Sequence, residues 1–563
     1  MHDSPAHVVV GAGAAGCVIA SRLSEDPRRS VVLIEAGRDL KPGEEPDTIR
    51  DPFPSGYGDP GFAWPGLQAA VGPDRGAGRG RFSRGYIQGR VLGGGSSIMG
   101  MIAQRGLPDD FDEWQRLGAD GWSWDDVLPY FRRLERDLDF DGPLHGRDGP
   151  IPIRRHPPSD WPPFSRAVAD AMRARGYPFL PDLHAEFGDG VAAMPMNNLP
   201  DRRVSAASGY LGESVRRRPN LRIVTDCEVQ RLVCDGRRAT GVVARGAAGE
   251  LRLQARETIV CAGAVFTPAL LLRSGIGPAA ALQALGIASV ADLPGVGRNL
   301  LNHPGLHLAA HLSRRSAQPR AQRAWGQSML RYSSGHPDCP PSDMYLFPVN
   351  KTAWHPLGRR IAAISVCVNK AFSRGSVTLR SPDPQARPAV TFELLSDPRD
   401  LARMIEGARF ALQLLADPQV ARHVTAVFHP SGGQANALNR PSRANWVRSW
   451  LINAAFDLGG GRLRTIVLGD DVIDPAALAA DATALRRAVL EHAAGVHHVS
   501  GTCRMGPAGD RAAVTDSRGR VHGVAGLRIG DASLMPTIVR ATTHLTVLMI
   551  GEKIAAMAAE EQR

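Results

Sequence analysis

Apolar positions along the chain fall into short blocks whose period changes from one block to the next. His7-Val-Val-Val10 is an apolar run of strand length. It leads at once into Gly11-Ala-Gly-Ala-Ala-Gly16 and then Cys17 to Leu23, which has helical spacing. A second run, Val31-Val-Leu-Ile34, ends on Glu35. Strand, glycine turn, helix and strand together predict a βαβ start. Asp109 through Leu117 predicts a helix. Leu221 to Val233, Gly241 to Val243 and Leu251 to Cys261 predict consecutive strands, followed by a helix around Pro268 to Arg273. Gly375 to Leu379 and Ala389 to Phe392 alternate as strands, and Pro398 to Ala416 has an amphipathic helical period. Leu527 to Gly530 predicts a strand returning to the first domain, and Thr546 to Ala556 a helix. Residues 40–84, rich in Gly, Pro and Asp, predict irregular covering chain.

This order predicts an α/β protein in which a Rossmann-like nucleotide-binding domain is joined to an α+β, antiparallel-sheet substrate domain. The nucleotide-binding domain takes residues 1–155, 201–305 and 485–563, and the substrate domain takes 156–200 and 306–484. At 563 residues the chain is large enough for both.

Composition removes several functions from consideration. With 43% hydrophobic and 22% charged residues the chain is globular. No apolar run approaches the ~18 residues of a membrane span. The first strand starts so early that no signal peptide fits before it, which predicts a cytoplasmic protein. The net charge of +11 comes from 63 Arg and four Lys, scattered among acids with no basic stripe, so nucleic acid is not an expected partner. Seven unclustered cysteines predict neither a disulfide framework nor a metal site.

In Gly11-x-Gly13-x-x-Gly16, the first glycine permits the tight turn, the second lets backbone approach a pyrophosphate, and the third lets helix and strand pack. The helix N-terminus offers free N–H groups to the phosphates. Glu35, at the end of the next strand, accepts from a ribose diol. This motif alone leaves NAD and FAD open.

Two further segments carry a resemblance, Gly89-Arg-Val-Leu-Gly-Gly-Gly-Ser-Ser-Ile98 and Gly263-Ala-Val-Phe-Thr-Pro-Ala-Leu-Leu-Leu-Arg-Ser-Gly-Ile-Gly277. With Gly295 to His303 and two C-terminal histidine segments, they resemble the glucose-methanol-choline (GMC) oxidoreductases over nearly the whole chain. Gly106 to Trp114, Leu117 to Trp124 and Pro143 to Pro152 look most like the hydroxymethylfurfural and aryl-alcohol oxidase branch. The resemblance implies FAD in a Rossmann-like domain of GMC type. Gly11, Gly13, Gly16 and Glu35 would hold its ADP half, and Val229 would meet the adenine through its backbone. Arg90, Gly93, Gly94 and Ser97 would line the flavin and pyrophosphate, with Asp531 near the ribityl chain. A helix starting near Thr546 would point its dipole at the flavin. Met99 stands where the family usually has Asn. Ile98 stands where members with covalent flavin have His, so the resemblance implies non-covalent FAD.

Alcohol oxidation removes a proton from oxygen and a hydride from carbon, so the protein must supply a base with a pKa near working pH. His498 matches the family's catalytic histidine, and His497 is the fallback. His544 matches the second position, hydrogen-bonding the same oxygen. His303 reads as a structural contact near the domain border, Cys503 and Met505 as core, and Arg540 as a surface ion pair, with a carboxylate-binding group in the substrate space as its alternative. Phe62, Trp64, Trp354 and Trp450 are candidate aromatic walls. The resemblance implies a small primary alcohol as substrate, with aromatic and furanic alcohols among the candidates, and O₂, a quinone or another carrier as electron acceptor. The alternative is a hydroxynitrile lyase or a light-driven fatty-acid decarboxylase of the same family.

Overall fold

The computed structural model describes residues 5–72, 82–429, 438–439, 442–458 and 472–561. The first expected unit is present. His7–Val10 pairs in parallel with Val31–Ile34 on one side and Glu257–Val260 on the other. Leu221–Val224 extends one edge and Leu527–Ile529 the other, so the five-stranded sheet is wholly parallel. All four residues of His7–Val10 and of Val31–Ile34 are buried, as expected of parallel strands covered on both faces. Helices Ala14–Leu23 and Thr543–Glu560 pack together over this sheet.

A second sheet of nine strands carries the other half of the molecule. Its order is Val472–Ile473, Val424–Phe428, Pro304–Leu312, Ile361–Val368, Met344–Val349, Ser328–Tyr332, Gly190–Ala193 and Phe179–Leu180, with Ala494–Gly495 also pairing to Pro304–Leu312. Its central pairs are antiparallel. Helix Pro398–Ala416 lies against it. Asp397 caps that helix by accepting the Arg399 N–H, and Pro398 occupies the first turn, where a missing donor costs nothing.

Four expectations are corrected. The run Leu221 to Val233 is two strands in two sheets, Leu221–Val224 and Cys227–Asp235. Asp226, at φ +51°, makes the corner between them. The stretch from 40 to 84 is not wholly irregular. Gln68–Val71 pairs with both Phe82–Gly85 and Ala389–Phe392, and helix Asp47–Arg50 precedes it, while 73–81 lie outside the described residues. The C-terminal helix begins at Thr543, three residues before Thr546, and the helix expected around Pro268 begins at Gly263. No helix among the described residues is long and apolar enough to cross a membrane.

Candidate functional site

A single cavity of about 1310 Å³ runs from the glycine turn at Gly11 to Lys351, just beyond a strand of the second sheet. At the nucleotide end the glycines are sterically required. A Cβ on Gly16 would lie 1.9 Å from the Gly11 carbonyl oxygen, and one on Gly94 would lie 2.9 Å from the Gly13 Cα. The two glycine turns therefore touch backbone to backbone, and the Gly93 N–H donates to the Ala12 carbonyl at 2.7 Å. The Glu35 carboxylate accepts from the N–H groups of Ala12 and Gly37, each at 2.8 Å. Burial raises its pKa to about 7 against the pull of those donors. Val229 lines the cavity beside a register break in its strand. Asp531 accepts from the Gly263 N–H at 2.8 Å and the Thr267 hydroxyl at 2.5 Å, and burial raises its pKa.

Gly11, Gly13, Glu35, Gly94, Val229, Asp531, His498 and His544 all line this cavity. Gly16, Gly93 and Ser97 stand one layer behind, Gly16 against Gly11 and the Ser97 hydroxyl donating to the Leu92 carbonyl. The Arg90 guanidinium lies over Trp64, 5.2 Å from the ring centroid. Thr546 is fully buried inside its helix. The residues of that helix that reach the cavity are Thr543, His544 and Val547. The Thr542 hydroxyl donates to the Ile102 carbonyl and so leaves the helix uncapped, its first N–H groups free for an electron-rich partner. A cradle that admits no Cβ and an uncapped helix start are what a dinucleotide requires, and these residues fit FAD.

At the other end, His498 stands against His303. His498 Nδ1 lies 2.8 Å from His303 Nδ1, and His303 Nε2 lies 3.0 Å from the Val539 carbonyl. A carbonyl can only accept, so His303 carries its proton on Nε2 and its Nδ1 is a lone pair. His498 must then donate from Nδ1, which leaves a lone pair on His498 Nε2. Burial pushes His303 down to about 4 and holds His498 well below the ordinary histidine range, so both rings are neutral. The His498 backbone N–H is anchored at 2.9 Å to Asn302 Oδ1. Gly495 is the cost of that anchor, because a Cβ there would lie 2.2 Å from Asn302 Nδ2.

His497 points elsewhere. Its backbone is left-handed, at φ +66°, a conformation that costs about 1–3 kcal/mol in a residue with a side chain. The ring accounts for it by bonding Tyr57 Oη at 2.9 Å and stacking on Tyr86. His544 lines the cavity, but its Nε2 is enclosed and unpaired. Burial lowers it to about 4, with the Arg203 guanidinium adding to the effect.

The walls differ from expectation. Trp64 lines the cavity, stacked on Phe266, but Phe62 is core and Trp450 is 53% exposed. Trp354 stands behind the wall, donating to the Asn439 carbonyl. The aromatic wall is instead Trp325, Tyr345, Phe347, Phe53 and Tyr57. Met99 is part of the lining, and Ile98 is fully buried. Arg540 is neither at the site nor on the surface. It is buried and paired with Asp110 at 3.0 Å. His303 and Asn302 were visible in the Gly295–His303 motif, but nothing in their spacing pointed to His498.

The chain matches the N-terminal GMC oxidoreductase family model over residues 6–305 and the C-terminal one over 371–551. It is 43% identical to the 5-(hydroxymethyl)furfural oxidase of Methylovorus sp. (strain MP688), covering 98% of this chain and 97% of that one. It is 31% identical to the oxygen-dependent choline dehydrogenase of Sinorhizobium fredii (strain NBRC 101917 / NGR234), covering 98% and 94%. Among solved structures, pyridoxine 4-oxidase from Mesorbium loti superposes with a TM-score of 0.79 at 27% identity, over 98% of each chain. With the glycine cradle and histidine site on one cavity, these matches establish that the chain is a flavin-dependent enzyme belonging to the GMC oxidoreductases.

Proposed function

We propose that this protein oxidises a primary alcohol, aromatic or furanic, to the aldehyde, with His498 as the base. The observation that carries this reading is the chain Val539–His303–His498, which leaves a lone pair on His498 Nε2. FAD, when bound, supplies the acceptor for the hydride that leaves the carbinol carbon. His498 Nε2 takes the hydroxyl proton, and His303 holds the ring in the tautomer that can take it. His544 orients the same oxygen, either through Nδ1 or by a turn of its ring. The aromatic wall of Trp325 and Phe347 binds a flat substrate and excludes water. Gly11, Gly13, Gly16, Glu35 and Val229 hold the ADP half of FAD non-covalently. Arg90, Gly93, Gly94 and Ser97 shape its pyrophosphate and flavin region, with Asp531 and the helix carrying Thr546 behind it. The three-part nucleotide-binding domain and the two-part substrate domain meet at this cavity. The seven cysteines are free thiols, which suits a reducing cytoplasm.

The test is anaerobic flavin reduction by benzyl alcohol and by 5-(hydroxymethyl)furfural, comparing wild type with His498→Ala. Wild type should bleach and the variant, with flavin still bound, should bleach far more slowly. Unchanged bleaching would remove His498 from the chemistry, and no bleaching of wild type by any alcohol would favour a lyase. Peroxide formed in air would mark O₂ rather than a quinone as the acceptor.

A further inference from the structure

The cavity's acids are gathered at its nucleotide end, where Arg273 also lines it. Among the described residues it is lined by three carboxylates, Glu35, Glu228 and Asp531, all on elements of the nucleotide end. The wall beyond the histidines carries no acid and two cations, Lys351 and Arg448. Lys351 follows strand Met344–Val349, whose alternate residues Tyr345, Phe347 and Val349 face the cavity. Their neighbours across the sheet, Ser365 beside Phe347 and Ala363 beside Val349, face it too. The ammonium of Lys351 sits 4.7 Å from the centroid of the Phe53 ring, which lines the same space. No carboxylate lies within ion-pair distance of it among the described residues. Asp51 is near enough only for its field to be felt. A half-buried ammonium held on an aromatic face with no anion is an incomplete ion pair.

We infer that Lys351 recognises a carboxylate carried by the alcohol substrate, so that the preferred substrates are aryl or furanic alcohols bearing an acid group and quaternary-ammonium alcohols are rejected. This rests on the alcohol-oxidation reading and narrows its substrate class. The wall offers a trimethylammonium group aromatic faces but no carboxylate, and the cations Lys351 and Arg448 repel it. Phe347 and Lys351 are four residues apart, at most about 14 Å along extended chain, with Lys351 past the end of the strand. The acid therefore belongs on the side of the substrate remote from the reacting carbon.

The experiment uses holoenzyme and three matched alcohols, namely 4-(hydroxymethyl)benzoate, its methyl ester and choline, with 4′-(hydroxymethyl)biphenyl-4-carboxylate as the longer acid. Wild type, Lys351→Met and Lys351→Arg are compared by kcat/KM. Equilibrium binding of terephthalate and biphenyl-4,4′-dicarboxylate, which cannot react, is measured by calorimetry. At least one acid should be preferred over the ester, and Lys351→Met should cost that acid and its dicarboxylate roughly ten- to hundredfold, leaving the ester within about twofold. Lys351→Arg should restore much of the preference. Acids no better than the ester, equal losses for both in Lys351→Met, or efficient turnover of choline would each overturn the inference. If no alcohol reduces the flavin, the alcohol-oxidation reading fails. Dicarboxylate binding then still reports on Lys351 separately.

Discussion

The surroundings of His145 and of the His303–His498 pair are electrostatic opposites. His145 is enclosed by Asp137, Asp182 and Glu135, with His145 Nε2 2.7 Å from Asp182 Oδ2 and Nδ1 3.1 Å from Asp137 Oδ2. Arg105 pairs with Glu135, and Arg155 with Asp137 at 2.8 Å. Burial pulls the His145 pKa down, but hydrogen bonds to Asp137, Asp182 and Glu135 outweigh it and lift the group to about 10. Three acids then face three cations, and His145 is a fixed imidazolium that cannot take a proton at neutral pH. In the His303–His498 pair, with His303 buried and His498 half-buried at the cavity, no acid lies in ion-pair distance among the described residues, so burial outweighs the Val539 carbonyl and the field of Asp110 at His303, the field of His303 adds to it at His498, and both rings stay neutral. The same side chain is a structural cation in one setting and a base in the other, and the difference lies in the neighbouring carboxylates.

The comparison is broken most severely by removing the base. His498→Ala should lower the rate of anaerobic flavin reduction about 10²–10⁴-fold with flavin content unchanged. Stopped-flow absorbance checks this. A rate within threefold of wild type would end the assignment.

Placing a carboxylate beside the base should sharpen it. In wild type the base is neutral well below pH 6.5, so kcat/KM should be level through neutral pH. It should fall only in the acid range, as His498 gains a proton. His303→Asp puts an anion against Nδ1 and favours the imidazolium, which should move the acid limb up by about one to three units. A pH profile of kcat/KM decides it, and an unmoved limb would mean that His303 does not set the protonation of His498.

The smallest effect on catalysis, though not on stability, should come from His145→Gln. A folded pKa raised to about 10 means that His145 contributes its full stabilisation below its unfolded value near 6.5 and loses it as pH rises through about 10. The substitution strands buried carboxylates, at a cost of about 3–5 kcal/mol at pH 6. The loss of melting temperature should shrink toward pH 10, with kcat of the folded enzyme unchanged. A pH-independent loss would point to packing instead.

Local signals made the nucleotide end legible. A glycine turn, two apolar runs and a terminal acid are each read within about ten residues, and helix Pro398–Ala416 announces itself by its period. What escaped depends on non-local pairing. The alternation of Tyr345, Phe347 and Val349 does not say which sheet face borders a cavity, because that depends on Pro304–Leu312 and Ile361–Val368 lying alongside. The break at Asp226 was hidden because both flanking strands are apolar enough to read as one. The role of His303 needed the Val539 carbonyl, brought in from a distant segment. The aromatic candidates failed for a similar reason. Trp450 lies on a helix whose other side, at Asn445, Ile452 and Phe456, faces the cavity, and composition cannot assign sides.

The scarcity of lysine turns Lys351 into an address for chemical labelling. Only four ammonium side chains exist in the chain. Lys370 is buried against Glu113, and Lys553 is buried over Trp122 and Tyr130. Lys41 is exposed on the surface, and Lys351 opens into the cavity. An acylating reagent therefore meets two open side-chain amines with very different surroundings, and a bound dicarboxylate should shield only one. In most proteins of this size such a footprint would be lost among dozens of modified lysines. Here the arginine-rich composition leaves this part of the cavity wall chemically distinguishable from nearly everything else on the molecule.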